Sequence, residues 1–341
     1  MIREAIGKIV AGQSLAQAEA AGVMEEIMAG EATPAQLGAF ISLLRLKGET
    51  VEEIAGLAST MRARAVPVAT QRAVVDTCGT GGDARDTFNI STAAAFVAAA
   101  AGVAVAKHGN RAMSSHCGSA DVLEALGANV NLGAEQVADC LDQVGIAFMF
   151  APLFHPAMRH AAGPRRELGI RTVFNILGPL TNPAGARAQV LGVPEAELAA
   201  KLAGALRRLG THHALVVHGL DGVDEITITG PTLIYEVQDD SVRDYTVAPE
   251  EFGFPRAPIA AIRGGSAEEN AGIVREVLSG RDHGPRRQVV LLNAAAALVA
   301  GGAAPDLGAG VRLADEAINR GQAAATLARF VAYSQGALAP C

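Results

Sequence analysis

The sequence predicts an α/β protein in which a small all-helical N-terminal domain stands beside a larger domain with a mainly parallel central sheet. Three observations carry this. Helix-start signals recur over residues 1 to about 65 with no strand signal among them. After Pro67, short apolar runs alternate with helical segments. The 341 residues, 50% of them apolar, are enough for two cores of unequal size.

The N-terminal start signals are capping boxes, a hydroxyl N-cap followed three residues later by Glu or Gln: Ser14 with Gln17, Thr33 with Gln36, and Thr50 with Glu53. Pro34 takes the favoured first helical position, and Gly30 and Gly48 follow as terminators. Leu37, Phe40, Ile41 and Leu44 repeat at helical spacing. This stretch reads as a packing or dimerisation module, assigned to residues 1–68.

The second pattern runs AVVD (73–76), STAAAFVAAAAG (91–102), VAVAKHG (103–109), SADVLEALG (119–127), NVNL (129–132), AEQVADCLDQVG (134–145) and IAFMF (146–150), a β-α-β-α-β rhythm that implies parallel pairing. It resumes with AQVLGVP (188–194), a helix over 195–209 and HHALVVHG (212–219). Between the two stretches, 155–185 reads as helical with proline breaks and is expected to return to the N-terminal helices. The larger domain is assigned to 69–341, with a hairpin over 224–247 and three C-terminal helices near 266–279, 286–301 and 311–335.

Bulk properties narrow the function. A formal charge of −7 gives no general attraction to nucleic acid or to an anionic membrane, so any anion site must be built locally. Cys78, Cys117, Cys140 and Cys341 show no C-x-x-C pair, as expected of reduced thiols in a cytoplasmic protein. The N-terminal residues carry no signal-peptide pattern, and the apolar run 93–106 is too short to span a bilayer.

Ligands of open α/β sheets bind beyond the carboxyl ends of the strands. Two polar loops fall there. VDTCGTGGD (75–83) has glycines at 79, 81 and 82 that let backbone amides approach an anion, yet it is neither G-x-G-x-x-G nor a Walker loop. Alone it reads as a plain turn or as a phosphate site. Asn89, Ser91 and Thr92 open the alanine-rich helix, whose free N-terminal amides suit an anion. The second loop adds the cations Lys107 and Arg111, the donor Asn110 and the hydroxyls of Ser114, Ser115 and Ser119, and favours anion binding. His108 and His116 are candidate general bases without a visible nucleophile partner. Asp224 and Glu225, after strand 214–218, are either solvated surface acids or ligands for a hard cation such as Mg²⁺. Together these describe a soluble enzyme that binds a multiply phosphorylated small molecule with Mg²⁺.

The ordered set GTGGD (79–83), NIST (89–92), KHGNR (107–111), GSADVLEALG (118–127), RxxLGIRTVFNxLGPLTNP (165–183) and DGVDE (221–225) resembles the anthranilate phosphoribosyltransferase family. The resemblance runs from the N-terminal helices to LLNAAAAL (291–298). It implies the nucleoside phosphorylase/phosphoribosyltransferase class II arrangement, a homodimer formed through the helical domain, and transfer of phosphoribose from 5-phosphoribosyl-1-pyrophosphate (PRPP) to anthranilate, the second step of tryptophan biosynthesis. By the same resemblance, Gly79, Gly82, Asp83, Thr87, Asn89, Ile90, Ser91 and Thr92 surround PRPP. So do Lys107, His108, Gly109, Asn110, Arg111, Ala112, Met113, Ser114, Ser115 and Ser119. Gly79, Asn110 and Arg165 meet anthranilate, the Arg165 guanidinium suiting its carboxylate. Ser91, Asp224 and Glu225 hold Mg²⁺, two ions per monomer.

The sequence departs from the family pattern twice. Gly163-Pro164-Arg165 replaces Pro-Val-Arg, which bears on the shape of the helix carrying Arg165. His116 stands where Lys or Arg is frequent, which would make a phosphate contact there pH-dependent. Two other readings stand beside this one. A pyrimidine nucleoside phosphorylase shares the architecture but carries a Lys-His-Ser-rich glycine loop in place of CGTGGD. A catalytically silent, nucleic-acid-binding relative would show a basic surface and eroded motifs.

Overall fold

The computed structural model describes residues 1–112 and 116–337. Met113, Ser114 and Ser115 therefore lie outside the described residues. The chain begins with helices Ile2–Val10, Gln17–Met28, Pro34–Lys47 and Val51–Arg64. Two of the three capping boxes form. The Thr33 hydroxyl accepts from the Gln36 amide at 3.2 Å while the Gln36 side chain accepts from the Thr33 amide at 2.9 Å. Thr50 and Glu53 repeat the exchange at 3.2 and 2.8 Å. The Ser14 box does not form. Leu15 is buried and its amide donates to Glu53 at 2.9 Å, which keeps the chain extended past Ser14. The helix therefore starts at Gln17, Glu19 accepts from the Ala16 amide, and the Ser14 hydroxyl accepts from Lys47 instead.

Among the described residues, seven strands form one sheet in the order β3-β2-β1-β4-β5-β6-β7. They are β1 (Val74–Gly79), β2 (Ala104–Gly109), β3 (Ile146–Phe150), β4 (Ala188–Gly192), β5 (His213–Gly219), β6 (Thr232–Gln238) and β7 (Ser241–Val247). β1 to β5 are parallel; β6 and β7 add an antiparallel edge. NVNL is not a strand. Val130 and Leu132 are buried in alternation, but the Asn129 side chain accepts the Asn131 amide at 3.0 Å and closes a local turn where a ladder would need a free edge. The hairpin begins only at Thr232, so 220–231 is a loop. The last expected helix is two, Leu307–Asn319 and Gln322–Ser334, because Gly321 turns left-handed at φ 73° between them.

The period-2 alternation of the strands assigns their faces. Val190, Leu215 and Val217 join a core with the alanine-rich helices Ile90–Ala100 and Pro285–Ala300. Leu191, Ala214 and Val216 face the other way, onto helix Ala196–Arg208 and the N-terminal helices. Ala161, Val173, Phe174 and Leu177, from segment 155–185, share that second core with Phe40, Ile41 and Ile54. No helix among the described residues is long and apolar enough to cross a membrane.

Candidate active site

β1, β2, β4 and β5 are parallel neighbours, so their carboxyl ends lie together at one edge of the sheet. Gly79 and Gly192 pair across β1 and β4, and neither carries a Cβ because Asp224 lies over both. A Cβ on Gly79 would stand 2.5 Å from the Asp224 carboxylate, and one on Gly192 would overlap the Asp224 backbone. Three ties close the acidic loop onto the glycine loop. The Gly81 amide donates to Asp224 at 2.9 Å across 143 residues of sequence. The Arg85 guanidinium donates to the Asp221 carbonyl. The Ser91 amide, first in its helix after Ile90, donates to Glu225 at 3.2 Å.

Lys107 comes from β2 and is 3% exposed. Its ammonium donates to the Thr77 carbonyl and to the Ser91 hydroxyl, the latter at 3.3 Å. Burial lowers its pKa, opposed by Asp76. The acids respond in the opposite sense. Asp224 is raised to about 7 by burial and then by Asp83, while Glu225 is raised well above the carboxylate range by burial and then by Asp224, with Lys107 opposing. Both side chains keep an opening to solvent but are otherwise enclosed by protein. One Asp83 oxygen is buried without a hydrogen-bond partner. Three acids thus share one buried cation, and the site is short of positive charge. Among the described residues no three His, Cys, Asp or Glu side chains are arranged to enclose a metal alone.

None of Asn89, Ser91 or Thr92 caps its helix through a side chain. The Asn89 amide donates to the Cys117 carbonyl at 3.2 Å and its oxygen accepts from Asn270 at 3.0 Å. The Thr92 hydroxyl is buried and unpartnered, and Ile90 is buried, so only its backbone faces the cleft. Thr87 pairs with Arg263 in an isolated bridge. Ala84 and Asp86, just before it, adopt left-handed φ of 51° and 53°, strain of a kind that gathers at ligand sites.

The structure corrects two sequence-based expectations, for His108 and Arg111. The His108 imidazole does not reach the cleft. In a strand, neighbours point oppositely, so with Lys107 toward Ser91 the His108 ring turns inward against His155, 5.0 Å between centroids. Burial, then His155, lowers its pKa to about 3, which with its inward direction makes the ring a poor candidate for a general base. Arg111 is not a free cation. Asp121 and Glu124, one turn apart on the helix Ser119–Ala125, take its guanidinium at 3.2 Å and at 2.5 and 2.7 Å, over the Phe150 ring. His116 is exposed and faces Asp86 at 3.8 Å. Gly109 and Ser119 are neighbours: a Cβ on Gly109 would overlap the Ser119 hydroxyl, which donates to the Asn110 carbonyl at 3.3 Å. The Ala112 amide donates to Asp121 at 2.9 Å.

Arg165 belongs to helix Arg159–Leu168, which runs unbroken across Pro164. The guanidinium lies 5.1 Å above the Phe174 ring, has no carboxylate partner among the described residues, and is lowered in pKa by burial. It is a half-buried cation in want of an anion. Arg171, six residues on, escaped the sequence reading. It donates to the Thr80 carbonyl at 3.1 Å and packs where a Gly82 Cβ would be, joining the Arg165 segment to the glycine loop. Asp76, by contrast, is structural: fully buried, it accepts from the His108 amide at 3.2 Å and from Asn182 at 2.8 Å.

Comparison with known proteins agrees with this geometry. Residues 3–65 match the glycosyl transferase family helical bundle domain, and residues 71–324 match the glycosyl transferase family a/b domain. The anthranilate phosphoribosyltransferase of Chloroflexus aurantiacus is 63% identical over 336 residues, covering 98% of this chain and 99% of that protein. The crystal structure of the Thermus thermophilus enzyme superposes with a TM-score of 0.92 at 48% identity, covering 97% of this chain and 99% of the other. The Saccharomyces cerevisiae enzyme in complex with PRPP and Mg gives 0.91 at 27% identity, with 98% of each chain covered. Its complex with 4-fluoroanthranilate gives 0.88 at 26% identity, again with 98% of each chain covered. On these matches the chain belongs to the anthranilate phosphoribosyltransferase family.

Proposed function

We propose that the chain transfers the phosphoribosyl group of PRPP to the amine of anthranilate, giving N-(5-phosphoribosyl)anthranilate and pyrophosphate, the second step of tryptophan biosynthesis from chorismate. The observation that carries this is the acid pair Asp224–Glu225 closed over the glycine loop beside Lys107 and Ser91, in a chain so similar to enzymes of this name. The donor set fits Mg²⁺. Two carboxylates with raised pKa values and a hydroxyl form an oxygen-only set, short of positive charge, whose remaining positions substrate phosphates would fill. Ser91, Asp224 and Glu225 would hold the metal, two ions per monomer. A Mg²⁺ ion held by these residues would supply charge neutralisation for the pyrophosphate leaving group.

The chain's own residues do the rest. Gly79, Gly81 and Gly82 admit PRPP to the backbone. Lys107 and the Ser91 helix terminus counter its negative charge. Residues 109–115 with Ser119 cradle its phosphate, and Asn110 with Arg165 orients anthranilate by its carboxylate. Catalysis is then positioning and electrostatic stabilisation of a ribose centre turning cationic, with no general base required of the buried His108. The unit formed by 1–68 with 155–185 would supply the dimer contact. In support, Val10 and Leu46 on its surface are 68% and 84% exposed. A cytoplasmic location accords with this biosynthetic role. The test is anthranilate fluorescence in the presence of PRPP, with and without Mg²⁺. Consumption that depends on both is expected; persistent fluorescence from folded, metal-supplied protein would refute the assignment.

A further inference from the structure

Asn293 stands out on helix Pro285–Ala300. Its neighbours Leu291, Leu292, Ala294, Ala295 and Ala296 are apolar and buried, and it is itself 2% exposed. A carboxamide in such a place costs stability unless its bonding capacity is used. Here it is used on one distant residue. The Asn293 oxygen accepts from the Ile226 amide at 2.9 Å, and its nitrogen donates to the Ile226 carbonyl at 2.9 Å and to the Val289 carbonyl at 2.9 Å. Ile226 lies between β5 and β6, where no ladder serves its backbone, so this one side chain satisfies both of its polar groups.

The N–H and the C=O of one residue belong to the two peptides that flank it, so bonds to both restrain the chain on each side of Ile226. The first of these peptides joins Ile226 to Glu225. On the other side, the backbone of Asp224 is seated over Gly192 and its carboxylate over Gly79. The acid pair is therefore gripped from two directions, by a gap between glycines and by a carboxamide from the helix behind the sheet. Such a grip matters once the acids ionise, because Asp83, Asp224 and Glu225 would then repel one another and spread if the chain allowed it.

We propose that Asn293 is a positioning residue for the acid pair Asp224–Glu225, holding the two carboxylates at the separation that a divalent cation with PRPP requires. This rests on the reading of that pair as metal ligands. Mn²⁺, followed by the paramagnetic resonance of the free ion, is titrated into the full chain with PRPP present, alongside the Mg²⁺ dependence of turnover. Asn293→Leu, close in size, and Asn293→Asp, which keeps an acceptor for the Ile226 amide, are compared with wild type. Leu298→Ala, a cavity variant on the same helix, controls for lost stability, and Glu225→Gln tests the ligand reading itself. The expected result is Mn²⁺ binding weakened at least tenfold in Asn293→Leu and less in Asn293→Asp, while Leu298→Ala binds as wild type at a comparable melting temperature. If Asn293→Leu misfolds, the Asn293→Asp shift alone decides. Asn293 variants that melt early but bind Mn²⁺ normally, or an equal weakening in Leu298→Ala, would overturn the proposal. Unchanged binding in Glu225→Gln would instead sink the underlying ligand reading.

Discussion

Gly79→Ala separates the position of the Asp224 carboxylate from the stability of the fold. Gly79 does not need a left-handed backbone, so alanine is compatible with its conformation. The new Cβ would stand 2.5 Å from Asp224 Oδ2 and 3.2 Å from Cγ, whereas ordinary contact begins at 3.4 Å. The carboxylate must therefore swing by about 1 Å, which a side-chain end achieves cheaply and a backbone would not. Stability changes little: the Gly81–Asp224 hydrogen bond, worth about 1 kcal/mol, is lost, while replacing glycine returns roughly 0.4–1 kcal/mol through the unfolded chain. Activity changes much more, since a misplacement of about 1 Å in a catalytic constellation costs on the order of 10²-fold, or about 2.7 kcal/mol. The assay pairs a thermal melt with the Mg²⁺ dependence of anthranilate consumption. A shift of a few degrees at most is expected, with half-saturation by Mg²⁺ moved upward and turnover down about a hundredfold. Near-normal turnover at an unchanged Mg²⁺ requirement would refute the view that Asp224 works from where it lies. A collapse in melting temperature would show that the carboxylate is not the part that yields.

Two further outcomes follow from neighbouring geometry. Arg171→Ala removes the guanidinium that holds the Thr80 carbonyl and covers Gly82; a charged hydrogen bond is worth about 1.5–3 kcal/mol, so KM for PRPP should rise roughly tenfold or more, and a change under twofold in steady-state kinetics would discount its hold on the loop. His155 is buried, which lowers its native pKa from 6.5 to about 4, so the unfolded chain binds its proton first and stability falls as pH drops from about 6.5 toward 4. Its contribution to that loss between pH 7 and 5 is about 2 kcal/mol, so His155→Gln should flatten the acid limb of a urea-unfolding series by that amount, and an unaltered limb would refute the buried-neutral assignment.

What the sequence made legible follows the range of the forces involved. Thr33 and Thr50 cap as expected because their partners lie three residues away. Ser14 fails because its neighbour Leu15 is claimed by Glu53, 38 residues on. The site could be located from strand ends alone, since topology sends those ends to one edge whatever the side chains do. Side-chain directions were partly legible too: once Lys107 is assigned to the cleft, pleating turns His108 away, and reading KHGNR as one binding stretch ignores this. Arg111 and Arg171 find their partners for a reason no local pattern carries. The motif cation meets Asp121 and Glu124 on the next helix, while the unremarked arginine meets a backbone carbonyl 91 residues away.

The acids beside the glycine loop are the feature that most constrains the chemistry. Asp224 and Glu225 lie beside Asp83, with Lys107 near Glu225, where burial already disfavours the charged forms of Asp224 and Glu225. A bare phosphate anion would enter against that field, and a bare divalent cation would find too few protein ligands to leave its water. On the proposed reading each would meet the other's shortfall: the phosphates would complete the metal's shell, and the metal would let the acids ionise. Binding of Mg²⁺ and of PRPP must then be mutually favourable, and by linkage equally so in both directions. The glycines at 79 and 192 and the ties at Gly81 and Ser91 hold the acids close enough to the loop for one bound pair to satisfy both. The same acids should make the site discriminate: a phosphate ester that cannot chelate a metal would bring no compensation for them and should bind weakly.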